Sequence, residues 1–413
     1  MQKQSSDSAA PLRVDAARGA ILETLAPIAG REQVALRAAL DRVLAEDMVA
    51  PFDVPAHDNS AMDGYALRSA DLVAGAATDL VVVGTALAGS AFSGVVGAGQ
   101  AVRVMTGAVL PRGADTVAVQ EDVTASGDRV SIPAGQKAGA NVRRAGEDLA
   151  RGRAALAAGT RVGPAELGLL ASLGFAEVAV KRRLRVAFFS TGDEVASIGK
   201  TLAPGEVYDS NRYTLYGALT RLGVDLLDMG VVRDDPTEME AAFREAAAQA
   251  DVILTTGGVS VGDADYVKDM VARLGEVKFW KIDIKPGRPM AFGRIGTTWL
   301  FGLPGNPVAV MVNFYQIVVD ALLNLMGVDP LPPRVSFPVV ADMAIRKTPG
   351  RREFPRGFLY CEGETWHVRL AGNQGSGVLR SMSEANCFIV LSEERGSVAA
   401  GELVEVQVFE GLI

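Results

Sequence analysis

Apolar residues recur along this chain with two different periods, and the changes of period divide it into regions. Val14, Ala17, Ile21, Leu25 and Ile28 fall at three- and four-residue spacing and predict a helix near the N-terminus; Leu40, Val43 and Leu44 predict a second one. Pro51 and Pro55 break that pattern. From there to about Asp148, short Val-rich runs (Leu80–Val83, Ala101–Met105, Thr116–Gln120, Arg129–Ile132) are separated by Gly and Pro, which predicts a mainly β module. Pro164–Leu173 returns to a helical pattern. A regular alternation then begins, with strands predicted at Arg185–Phe189, Asp225–Met229, Val252–Leu254 and Thr298–Phe301. Helices are predicted at Arg212–Leu222, Pro236–Ala248, Tyr266–Leu274 and Pro307–Met326. Strand and helix in alternation point to a parallel sheet with crossover helices. After the linker Asp329-Pro330-Leu331-Pro332-Pro333, the runs Val335–Val340, Glu353–Tyr360, Thr365–Leu370, Phe388–Leu391 and Leu403–Phe409 read as strands of a small β-barrel or sandwich.

The most apolar stretch, Val308–Val328, carries Asn313, Gln316, Asp320 and Asn324 at three- and four-residue spacing. One polar stripe on an apolar helix predicts a largely buried helix and no membrane span. The chain has 413 residues, 49% hydrophobic and 22% charged, enough for two to four globular domains. A net charge of −8 argues against a general nucleic-acid or anionic-membrane surface. Only two cysteines (Cys361, Cys387) and two histidines (His57, His367) occur, far apart. That argues against a zinc site of the usual kind, so oxygen ligands are expected for any catalytic metal, and a free-thiol cytoplasmic protein is expected.

Candidate chemistry collects at three turns that follow predicted strands: Ser190-Thr191-Gly192-Asp193-Glu194, Thr255–Asp265 and Leu303-Pro304-Gly305-Asn306-Pro307. In an open parallel sheet, ligands bind at that edge. Gly257 and Gly258 permit close backbone approach, and Ser260 offers a hydroxyl. Asp263 and Asp265 would repel a bare phosphate unless a hard cation such as Mg²⁺ stands between. Asp209 and Asp234-Asp235 add carboxylates to this edge. Singly each acid reads as a helix cap, most plainly Asp235 before Pro236; together, beside glycine turns, they read as a site for Mg²⁺ and phosphate. Lys281, Asp283 and Lys285 share one face of a predicted strand opposite Ile282 and Ile284. Two lysines there suit an oxyanion, although a solvated strand edge is the commoner reading. His57 has no partner ligands and reads as structural or exposed.

The motifs DNSAMDGYA, MTGAVLPRGAD, NVRRAGED, STGDEV, YDSNRY, TTGGVSVGDADYVK, KIDIKPGRPMAFG and GLPGNPVAV occur in this order from about residue 12 to the C-terminus. As a set they closely resemble the molybdopterin molybdenumtransferase family, the bacterial counterpart of the gephyrin E domain. The GGVSVGDADY element alone also resembles the molybdopterin adenylyltransferase and competence-damage families.

The resemblance implies a multidomain α/β plus β chain and an elongated homodimer. Its regions would be a discontinuous, helical or mixed N-terminal region (12–50 with 150–178), an inserted mainly β module (51–149), a central α/β domain (179–330) and a small C-terminal β-barrel (331–413). The implied reaction takes adenylylated molybdopterin, delivered by molybdopterin adenylyltransferase, and molybdate. It cleaves the pyrophosphate with Mg²⁺, releases AMP and leaves molybdenum on the dithiolene. By the same resemblance Asp234 and Asp265 are metal and catalytic acids, Glu194 a further functional acid, and Lys281 and Lys285 line the anion site. Pro304 and Pro307 shape that site. Asp63, Thr106 and Asp148 belong to the inserted module and would complete the cleft from the partner subunit. Arg356 and Ser376 would hold molybdate, with Arg351 or Arg352 as replacements for Arg356. Asp209, Gly257, Gly258 and Ser260 join the substrate set. The alternatives are a nucleotide pyrophosphatase of the competence-damage type and a non-enzymatic scaffold.

Overall fold

The computed structural model describes residues 11–258 and 266–411. These fall into two compact units. One draws on Met1–Ala45, Gly159–Gly163 and Glu177–Ile413; the other on Glu46–Ala158 and Pro164–Ala176.

The first unit is built on a six-stranded sheet. Asp225–Val232, Arg185–Thr191, Val252–Thr256 and Thr298–Leu303 lie side by side and parallel, as the strand–helix alternation predicts. The sheet is nevertheless mixed. Pro289–Ile295 and Glu276–Lys281 continue it antiparallel, and neither was predicted. Close approach at glycine makes this pairing possible: a Cβ on Gly293 would lie 2.2 Å from the Glu276 carbonyl oxygen. The predicted polar strand over Lys281–Lys285 is also broken, since Ile284–Lys285 leaves the sheet to pair in parallel with Arg352–Glu353. Its two-sided character survives, with Ile282 and Ile284 fully buried.

Both faces of the parallel strands are covered, which is why these strands read as continuous apolar runs. Val186, Phe188, Leu254 and Phe301 pack with the helices Val14–Thr24, Ser210–Leu222 and the long apolar helix. Ala187, Phe189, Ile253 and Leu300 pack with Pro236–Gln249 and Tyr266–Leu274. The long helix runs from Pro307 through Met326 with a π-helical turn at Phe314–Val318. It is long and apolar enough to cross a membrane, yet most of it is buried inside the protein. No α-helix forms over Leu40, Val43 and Leu44. Leu36–Ala39 makes one 3₁₀ turn, and Val43 and Leu44 form bridges to Arg161 and Val180 instead. Their backbone groups find strand partners, and tertiary pairing overrides a short helical pattern.

The C-terminal strands close into a five-stranded barrel around Val339, Leu359, Val368, Ile389 and Val406. The predicted strand Glu353–Tyr360 is two elements. Pro355, which has no N–H to donate, separates Arg352–Glu353 from the barrel strand Arg356–Glu362. That break turns Glu353 and Arg356 toward one cleft, described below.

The second unit carries the predicted β module as a six-stranded sheet, order Thr116–Val119, Gly64–Leu67, Gln100–Val104, Thr78–Ala86, Arg129–Ile132, Thr124–Ser126. Alternate residues feed two separate cores: Leu67, Ala101 and Ala118 on one face, Ala66, Val102 and Val117 on the other. The helix Pro164–Ser172 forms as predicted.

Candidate functional site

Register brings the turns of the first unit together. Ser190 aligns with Thr256, and Thr256 with Leu303, so the three parallel strands end level and release their turns at one edge. The turn after Thr256 is forced to be glycine. Gly257 and Gly258 have φ of +87° and +63°, and a Cβ on Gly257 would sit 2.4 Å from the Thr191 carbonyl oxygen. A cleft of about 610 Å³ opens there, lined among others by Thr191, Glu194, Asp209, Gly257, Asn306 and Pro307.

Asp209 is buried at the base of this cleft. Its Oδ1 accepts from the Ser190 hydroxyl (2.8 Å) and from the Arg212 backbone N–H (3.1 Å), capping the helix Ser210–Leu222. Ser190 Oγ also lies 2.9 Å from Thr256 Oγ1, tying two strand ends to the cap. Asp209→Ala removes a cap and the carboxylate acceptor of the buried Ser190 hydroxyl. We expect a loss of about 2 kcal/mol, read by denaturant unfolding. Asp235 is a pure cap, its Oδ1 accepting from Thr237 and Glu238 N–H (both 2.9 Å).

Asp234 differs. Its backbone N–H donates to Asp193 Oδ1 (3.3 Å), while its own Oδ1 is buried without a partner. Burial, and then the charges of Asp193 and Glu194, raise its carboxyl above the usual range. An orphaned carboxylate beside two others suits a cation. Among the described residues, however, no three acids, histidines or cysteines converge closely enough to hold a metal by themselves. Ser260, Asp263 and Asp265 lie outside the described residues.

A second cleft of about 730 Å³ adjoins the first across the Pro304–Pro307 turn, and Asn306 lines both. Lys285, Pro304, Arg356 and Ser376 line it together, with Arg346, Arg351 and Glu353. Arg356 is 1% exposed and has no carboxylate partner among the described residues. Its Nε donates to Ser381 Oγ (3.1 Å), and its Nη2 to the carbonyl oxygens of Asn373 (3.2 Å) and Gly375 (3.1 Å). Burial without a counter-ion brings the guanidinium down to about 10. Lys285 Nζ contacts Glu353 Oε2 at 3.0 Å. Arg352 is neutralised by Asp15 (2.7 Å) and Glu393 (3.1 Å) and does not line this cleft, whereas Arg351 does. Lys281 lines neither cleft.

The remaining candidates lie in the second unit, where three motifs meet. Asn59–Ser60 pairs with Val142–Arg143, and Ser60 exchanges backbone hydrogen bonds with Gly107 and Ala108. Thr106 donates to Asp63 Oδ1 from both its N–H (2.7 Å) and its hydroxyl (2.9 Å). These bonds hold the Asp63 carboxyl below the usual range. Asp148 is exposed on the adjoining turn, its N–H bonded to the Val54 carbonyl. Sequence reasoning missed Asn306, Arg346, Glu353 and Gln374. Asn306 stands inside the GLPGNPVAV motif, but the other three carry no local signal and reach the cleft only through the folding of the C-terminal region.

Together the fold and its clefts define a multidomain α/β protein with two adjoining clefts that share the Pro304–Pro307 turn. Residues 12–174 match the MoeA N-terminal region (domain I and II), 187–324 a probable molybdopterin binding domain, and 338–409 the MoeA C-terminal region (domain IV). The chain is 43% identical over 404 residues to a molybdopterin molybdenumtransferase of Haemophilus influenzae, covering 97% of this chain and 100% of that protein. The corresponding protein of Bacillus subtilis is 33% identical, over 91% of this chain and 89% of its own length. A crystal structure of the molybdopterin biosynthesis moeA protein from Pyrococcus horikoshii superposes with a TM-score of 0.83 at 29% identity, covering 97% of this chain and 100% of that one. The chain belongs to the molybdopterin molybdenumtransferase family and is an enzyme of molybdenum cofactor biosynthesis.

Proposed function

We propose that this enzyme takes adenylylated molybdopterin and molybdate, cleaves the pyrophosphate in a Mg²⁺-dependent step, releases AMP and leaves molybdenum on the dithiolene. The observation that carries the reading is the pair of adjoining clefts, one with Glu194 and the buried Asp209 beside a glycine turn, the other lined by cations around an arginine with no counter-ion among the described residues. Carboxylates need a metal between them and a phosphate; a cation-lined cleft suits an oxyanion.

In this reading Gly257 and Gly258 let the pyrophosphate approach the backbone. Asp234, with Asp265 and the neighbouring Glu194, would hold Mg²⁺, and the unpartnered Asp234 Oδ1 fits that role. Bound there, the metal supplies Lewis-acid neutralisation of pyrophosphate charge. Lys285, Arg356 and Ser376 orient molybdate, and Lys281 adds positive charge to that region. Pro304 and Pro307 fix the turn between the clefts, and Asp209 fixes the floor of the first. Asp63, Thr106 and Asp148 complete the cleft from the partner subunit of a homodimer. Molybdopterin adenylyltransferase delivers the substrate, and the setting is the cytoplasm.

The test is AMP release from adenylylated molybdopterin with Mg²⁺, with and without molybdate, followed by assay of the cofactor formed. AMP release that depends on molybdate and yields cofactor is the expected result. Release indifferent to molybdate would replace this reading with a plain pyrophosphatase; no release from a dimeric protein would replace it with a scaffold.

A further inference from the structure

The polar stripe of the long helix is not accounted for by either cleft. Two of its members make connections away from the clefts. Gln316 Nε2 donates to Gln407 Oε1 on a barrel strand (3.0 Å). Asp320 is bracketed by Arg18 (3.2 Å) and Arg334 (2.9 Å). Asn313 stands apart. It is fully buried just before the π-helical turn, and its Oδ1 has no partner. Such an acceptor is costly in an apolar helix, so what the rest of the amide does must offset it.

Asn313 Nδ2 donates to two carbonyl oxygens, Ala309 on its own helix (2.9 Å) and Gly287 in the turn after Lys285 (3.0 Å). Contact with the turn is intimate: Gly287 has φ +97°, and a Cβ there would lie 2.1 Å from Asn313 Nδ2. The other end of this turn is pinned from the barrel side, where the Phe354 N–H donates to the Lys285 carbonyl (2.9 Å). Lys285, Pro286, Gly287 and Ala309 all line the cation-lined cleft, opposite Glu353 and Arg356. We infer that Asn313 is a positioning residue for this cleft. It clamps the Lys285–Gly287 wall to the buried helix and so sets where the lysine stands relative to Arg356. The inference rests on reading the cleft as an oxyanion site, and Asn313 itself does not touch the anion.

Binding of molybdate alone to the full chain, by equilibrium dialysis, tests it, together with KM and kcat for molybdate in AMP release. Asn313→Ala is expected to raise both Kd and KM by about tenfold, with kcat at saturation changed less than about threefold. Asn313→Ser, which keeps one donor, falls between. Asn324→Ala serves as the control on the same stripe; its Oδ1 is also buried without a partner. It should leave Kd unmoved and should not lower Tm, because it removes an unpaired buried acceptor from a helix. Gly287→Ala should weaken binding more in the native background than beside Asn313→Ala, where the colliding amide is gone. Unchanged affinity in a folded Asn313→Ala or Asn313→Ser protein overturns the inference, as does an equal loss in Asn324→Ala. A native protein that binds no molybdate overturns the oxyanion reading of the cleft, and this inference with it.

Discussion

Arg356→Met is expected to lower molybdate-dependent turnover by about 10²–10³-fold while leaving a folded protein. The activity loss follows from removing a buried cation of the cleft that has no carboxylate partner among the described residues. The stability outcome is a balance. Methionine leaves the Asn373 and Gly375 carbonyls and the Ser381 hydroxyl without their donor, at about 1 kcal/mol for each hydrogen bond. It also removes a buried, uncompensated charge, whose desolvation cost is of several kcal/mol. The two offset, so Tm should move little. The sign of the pH effect is fixed by the depressed guanidinium value. Its proton is held less tightly in the folded protein, so the burial penalty is fully present at neutral pH and is relieved only as pH rises through about 10. A bound oxyanion offsets that penalty at neutral pH. Molybdate at 100 times its Kd should therefore stabilise the native protein by about 2.7 kcal/mol, and Arg356→Met should show almost none of this. Scanning calorimetry with and without molybdate reads both.

The second large effect is expected at Asp234. Asp234→Asn should reduce Mg²⁺-dependent AMP release by about 10²-fold or more while raising, not lowering, the metal-free Tm at pH 7.5. Burial and the charges of Asp193 and Glu194 raise the Asp234 carboxyl, so its proton is bound more tightly folded than unfolded. The resulting stability is present below the unfolded value and lost as pH rises through the folded one. At pH 7.5 an ionised Asp234 is therefore a net cost, which a neutral amide relieves. Mg²⁺ affinity in the native protein should tighten as pH rises through that range, because the metal displaces the proton. A fall in metal-free Tm, or retained Mg²⁺ dependence in the asparagine variant, would remove Asp234 from the metal site.

Much of the architecture was legible in the chain. The alternation of apolar runs with helical periods marks out the four parallel strands and their helices, since strands buried on both faces are continuously apolar. The glycine turns after Thr191 and Thr256 were legible for a related reason: only glycine tolerates the backbone there. The helix cap at Asp235 is equally local, requiring nothing beyond the next three residues. The antiparallel pair Glu276–Lys281 and Pro289–Ile295 falls outside the strand–helix alternation, and its pairing is broken by register shifts at Val277/Phe279 and Phe279/Lys281 that no local pattern marks.

What the sequence by itself determined is therefore whatever depends on neighbours along the chain: strand, helix, turn and cap. Only the tertiary structure decided which charges stand alone. Arg351, Arg352 and Arg356 are equivalent as letters, yet Arg352 finds Asp15 and Glu393 while Arg356 is buried among carbonyls. The polar stripe of the long helix likewise reads as one feature, but only Asn313 reaches the turn that carries Lys285. Periodicity is a property of adjacent residues. Desolvation and pairing depend on groups far apart in the chain, and packing alone brings those together.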